Sequence, residues 1–163
     1  MSARSDLQSP QTIWDFALRF YAKDGVEKDC LTAQDTYGLD VTYLIFALYR
    51  AHLGQGFDAP QTFDLARALT NQLVKPLRLR RRALKAEPQT EPPALVGEVR
   101  AALLAAELAS EQTILQTLHL TEIKGRPLNG YDGLTQCVRA AHVPLDATLD
   151  ALLKRLAHAG QSV

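Results

Sequence analysis

Cysteine is scarce in this chain. Cys30 and Cys137 are the only two, more than a hundred residues apart and outside any metal-ligand spacing, which argues against a disulfide framework and against zinc. Two buried, reduced thiols are expected. An excess of one charge is missing as well, since 18 Lys and Arg balance 18 Asp and Glu, so no global field favours nucleic acid or a membrane surface. No stretch approaches the ~18 apolar residues of a membrane span. The opening MSARSDLQSPQT has no apolar signal-peptide core, and a cytoplasmic location is the expectation. The chain also lacks Gly-x-Ser-x-Gly, a phosphate-binding glycine loop and His-Glu-x-x-His, while His52, His119, His142 and His158 are scattered. No catalytic residue, cofactor or metal is therefore assigned.

What is present is helical periodicity. With 47% hydrophobic and 22% charged residues over 163 positions, the chain has the material for one domain with a real core. Ser9-Pro10 reads as a helix start, followed by Ile13, Trp14, Ala17, Leu18 and Tyr21 at helical spacing. A short helix from Val26 ends at Gly38, and Asp40 reads as the N-cap of the next. That next segment, Val41 to Leu53, is apolar nearly all round, the mark of a helix buried on several sides. The aromatic set Trp14, Phe16, Phe20, Tyr21, Tyr43, Phe46 and Tyr49 is expected in the core rather than on a base-stacking surface.

A fourth helix starts at Asp58-Ala59-Pro60 and meets Pro76, where a kink or break is expected because proline lacks the amide donor and clashes with the preceding turn. Residues 87–93 (EPQTEPP) read as a proline-rich linker. A long Ala- and Leu-rich helix follows, then a loop through Asn129-Gly130. A C-terminal helical pair (residues 131–160) is predicted as about Gly133 to Ala141 and Asp146 to Ala159, ending at Gly160. The expected architecture is an all-α, single-domain bundle of about six or seven helices around a central apolar helix, with a proline-kinked fourth helix and residues 1–8 disordered.

The densest charge cluster follows the proline. Arg78, Arg81, Arg82 and Lys85 fall within an arc of about 100°, forming one basic helix face. Such a face either stays solvated or engages an acidic protein surface or phosphate groups. Arg80 is placed instead on the apolar stripe of Leu73, Leu77 and Leu84, where a charge needs a partner; Asp35, Asp40 and Glu107 are the candidates. Asp146 and Asp150 lie one turn apart near a helix start and read as dipole-favoured surface acids rather than metal ligands.

Three segments taken in order resemble an uncharacterised proteobacterial family of short helical proteins, a domain of unknown function. They are Trp14-x-Phe16-Ala17-Leu18-x-x-Tyr21, Cys30-Leu31-x-x-Gln34-Asp35-x-x-Gly38-x-Asp40-Val41, and Val74-Lys75-Pro76-Leu77-Arg78-x-x-Arg81-Arg82-x-Leu84-Lys85. The likeness spans roughly residues 12 to 118. It implies a helical fold and bacterial origin, and it implies that Gln34, Asp35, Asp40, Arg78, Arg82 and Lys85 belong to the family's pattern. The aromatic expected before Val74 is replaced here by Asn71-Gln72-Leu73.

Two functional readings follow. One is a non-enzymatic, cytoplasmic partner-binding or regulatory protein that presents Arg78, Arg81, Arg82 and Lys85 to an acidic surface, with nucleic acid as a variant needing further basic residues. The other is an enzyme or small anionic-ligand binder with a polar pocket between helices, built from Gln34, Asp35, Asp40, Arg80 and Glu107.

Overall fold

At Thr12, Asp40, Asp58, Asn129 and Asp146 helix starts are set by short polar side chains that accept the first unpaired amide hydrogens. The computed structural model describes residues 12–86, 93–121 and 125–163. Thr12 caps α1 (Ile13–Tyr21) in a reciprocal box with Asp15; the start expected at Ser9-Pro10 lies outside the described residues, as do the first eight and positions 87–92 of the linker. Gly25 and Gly38, both at positive φ, bracket α2 (Val26–Tyr37), and Asp40 caps α3 (Val41–His52).

Asp58 caps α4 (Ala59–Leu69), which runs into a π-helical turn (Thr70–Val74) and on into α5 (Lys75–Ala86). The long α6 (Pro93–Leu120) follows, then α7 (Gly130–Ala140) and α8 (Ala147–Gln161). The architecture is all α, and no strand occurs among the described residues.

Pro76 does not break the fourth helical path. The Lys75 amide bonds to the Thr70 carbonyl five residues back, so the turn before the proline is widened by one residue while the path stays helical. The last two helices also differ from expectation. α7 starts three residues early because Asn129 Oδ1 accepts the Asp132 amide at 2.8 Å. α8 passes through Gly160, which serves packing: a Cβ there would lie 3.3 Å from Leu48 Cδ2.

Every residue from Thr42 to Tyr49 is buried, and α3 touches α1, α2, α4, α6, α7 and α8. It is the central helix. Tyr43, Phe46 and Tyr49 are buried on it and Phe16 and Phe20 on α1, whereas Trp14 is half-buried and Tyr21 is partly exposed at the rim. The Tyr43 hydroxyl ties α3 to the start of α4, donating to the Ala59 carbonyl at 2.8 Å and sharing a 2.8 Å bond with Thr62. α7 and α8 close the other side of α3, and Arg155 on α8 grips Asp29 on α2 through two 2.8 Å bonds. Cys30 and Cys137 are buried and free; burial pushes the Cys30 thiol up to about 12.

Candidate functional site

Chemistry-bearing side chains gather where α2, the start of α3, the π-turn and α5 meet. Asp40 Oδ1 accepts the amides of Thr42 (3.0 Å) and Tyr43 (3.4 Å), and its Oδ2 accepts the Thr70 hydroxyl at 2.5 Å. Burial raises this carboxyl above its ordinary value, against the opposing pull of Thr70, the two amides and Arg78. From α2, Gln34 Oε1 accepts from Arg78 Nη1 at 2.7 Å, and Asp35 Oδ1 accepts from both Gln34 (3.2 Å) and Arg82 (3.2 Å). The Gln34 and Arg82 hydrogen bonds hold the Asp35 carboxyl below its ordinary value.

Gln34, Asp35, Asp40, Arg78 and Arg82 all line one cleft of about 500 Å³. Arg67, Thr70, Asn71 and Lys75 add further polar groups to its wall, and Leu39, Phe63 and Leu79 give it apolar surface. Four cations face two carboxylates there. Residue types and spacing did not single out Thr70, Asn71 and Lys75. Their signal was Pro76, whose missing donor is accommodated by the widened turn that turns Thr70 and Asn71 toward this cleft.

Behind the cleft, α5 lies against α6 and the basic face is answered by acids. Arg81 Nε donates to Glu107 Oε1 at 2.5 Å and its Nη2 to Oε2 at 3.1 Å. Arg78 Nη2 donates to Glu111 Oε1 at 2.8 Å, and its Nε stands 3.6 Å from Glu107 Oε2. Glu107 and Glu111 are one turn apart, which matches the spacing of Arg78 and Arg81 on the facing helix. Burial raises the Glu111 carboxyl, with Arg78 pulling the other way.

The expectation of a vacant cationic face is therefore corrected. Arg78, Arg81 and Arg82 each hold a carboxylate of this same chain, and Lys85 is exposed beyond them. Arg80 is corrected too: it is exposed, and Arg81 takes the place beside Glu107. Arg80 sits between Leu77 and Leu84 along α5, but Leu73 is exposed and Leu77 only half-buried, so that stripe is the margin of the buried side; its centre runs through Val74 and Leu84 with Arg81 between them. Arg80, Arg81, Lys85 and Glu107 do not line the cleft. Asp146 caps α8 and Asp150 pairs with Lys154 at 2.7 Å, while no group able to hold a metal ion occurs among the described residues.

A helical bundle with a polar inter-helix cleft and an internal ion-pair lattice is the class of protein that these features define. The chain belongs to the family described as "Protein of unknown function (DUF2390)", whose model matches residues 12–118. That span takes in every residue of the cleft and of the lattice. No curated protein and no solved structure matches the chain. No helix among the described residues is long and apolar enough to cross a membrane.

Proposed function

We propose that the protein binds a small carboxylate in the cleft between α2, the π-turn and α5. The observation that carries this reading is the convergence of Gln34, Asp35, Asp40, Arg78 and Arg82, from two distant stretches of sequence, on one cavity. Its volume of about 500 Å³ lies within the range of small-molecule sites, roughly 300–1,000 Å³. Lys75 and Arg82, the latter holding Asp35 by a single 3.2 Å bond, leave donors for carboxylate oxygens, and Asp35 and Gln34 can accept hydrogen bonds from a hydroxyl or amine on the same ligand. The π-turn supports the reading, because such turns inside α-helices are frequent at functional sites. Binding of an acidic protein surface would rest on Arg82 and Lys85, since Arg78 and Arg81 are committed to Glu107 and Glu111.

Calorimetric titration with malate and succinate tests the proposal. Wild-type protein is expected to bind at least one of them, and Lys75→Glu/Arg82→Glu to bind it at least tenfold more weakly with unchanged thermal stability. Equal affinity in the two proteins, or no binding of either acid, contradicts it.

A further inference from the structure

On the far side of Phe63, α4 faces α7 across a second cavity of about 520 Å³. Nitrogen donors enter it from three places: Arg67 on α4, Arg139 in the last turn of α7, and His142 just beyond that helix. Gln136 adds a side-chain amide, Asp64 places one carboxylate in the same wall beside Arg67, and Ala59, Pro60 and Phe63 supply an apolar surface.

The backbone holds two of these donors together. His142 takes the left-handed conformation (φ 55°), its amide bonding to the Arg139 carbonyl at 3.0 Å while the Val143 amide reaches Val138 at 3.1 Å. That closure ends α7 and sets Arg139 and His142 within one turn at the cavity wall. The Arg67 guanidinium stands over the Phe63 ring, 5.6 Å from its centroid, and meets Asp64 only at 3.8 Å in an exposed pair. A pair of that kind contributes little and leaves most of the arginine's donors uncommitted.

We propose that this recess is a second binding site, for a small phosphate monoester carrying an apolar or aromatic body. Two guanidinium groups, an imidazole and an amide lining one recess from separate positions exceed what the two oxygens of a carboxylate would use, and they suit the three terminal oxygens of a phosphate. The neighbouring apolar wall receives the rest of the molecule. The site shares Phe63 and Arg67 with the cleft described above, but Gln136, Arg139 and His142 line only this recess, so it stands or falls with them.

The test is calorimetric titration with phenyl phosphate, inorganic phosphate and a phosphoserine peptide. Wild-type protein is expected to bind phenyl phosphate at least tenfold more tightly than the other two. Arg139→Gln/His142→Asn should weaken phenyl phosphate at least tenfold with an unchanged unfolding temperature, because Arg139 and His142 are both exposed and asparagine accepts the left-handed backbone. Lys75→Glu/Arg82→Glu, by contrast, should leave its affinity within twofold of wild type. Equal affinity in the Arg139/His142 variant, or an equal loss in the Lys75/Arg82 variant, overturns the assignment. Inorganic phosphate binding as tightly as phenyl phosphate overturns the apolar body, and tighter binding of the phosphopeptide points to a protein partner and overturns the small-molecule class.

Discussion

Arg81 holds Glu107 by a two-point grip, Nε on Oε1 at 2.5 Å and Nη2 on Oε2 at 3.1 Å, with the glutamate only 3% exposed. A charge so deeply placed is tolerated because guanidinium groups surround it, and this pairing is what removes α5's basic face from the list of free surfaces.

Breaking the grip has a defined signature. Arg81→Met strands a buried carboxylate and is expected to destabilise the fold by about 3 kcal/mol, the low end for a broken buried pair. Arg78 stays 3.6 Å from Glu107 and limits the loss. Arg81→Met/Glu107→Met removes both charges and should return to within about 1 kcal/mol of wild type. Urea unfolding of the two single variants and the double variant measures the coupling.

Asp40 combines a capping role with a raised carboxyl. Asp40→Ala loses the cap and is expected to cost about 1–2 kcal/mol, while Asp40→Asn keeps an acceptor for the Thr42 amide and costs much less. The pH dependence follows from the direction of the shift. A carboxyl raised in the folded state binds its proton before the unfolded chain does, so wild type gains stability as pH falls from the raised value toward the ordinary 3.8. The amide of the Asp40→Asn variant has no such proton to take up. The stability difference between Asp40→Asn and wild type should therefore move in favour of wild type between pH 7 and pH 4, read from urea midpoints.

Two loops touch through glycines. A Cβ on Gly56 would lie 2.1 Å from the Arg126 carbonyl oxygen, and one on Gly125 would lie 2.4 Å from the Phe57 nitrogen. Both obstacles are backbone and cannot rotate away, so Gly56→Ala and Gly125→Ala should each cost about 1–3 kcal/mol by forcing the loops apart. Gly97, inside α6, meets nothing within 4 Å, and Gly97→Ala should raise stability by about 0.5–1 kcal/mol. Thermal unfolding of the three variants separates close approach from helix propensity.

Much of the fold was legible because its signals are local. The density of apolar residues from Val41 to Tyr49 located the central helix, and Asp40 and Asp58 marked helix starts by their own side-chain chemistry. Asn129 caps α7, a role its sequence leaves ambiguous because an Asn-Gly pair carries a turn signal as well as a capping one. Pro76 announced a disturbance without fixing its form: a missing amide donor is accommodated by a break, a kink or a wider turn, and the chain takes the last.

The cleft was legible only in part: Gln34, Asp35 and Asp40 line it, Arg80 and Glu107, expected beside them, do not, and Arg78 and Arg82 come to it from the expected basic face. Gln34, Asp35, Asp40, Arg78 and Arg82 lie together in the cleft, but their charge partners depend on how α6 lies along α5. Glu111 carries no local sign that it answers Arg78, and whether Arg80 or Arg81 meets Glu107 turns on which edge of the Leu77–Leu84 stripe faces α6.

The most direct measurement of the central claim is a nitrogen-15 amide titration of the intact chain with malate. The account predicts shifts confined to the cleft, at Gln34, Asp35, Asn71, Lys75 and Arg82, with the α6 residues Ala101 and Ala105, which lie outside it, unmoved. Shifts concentrated elsewhere, or none in the cleft at saturating acid, would contradict it.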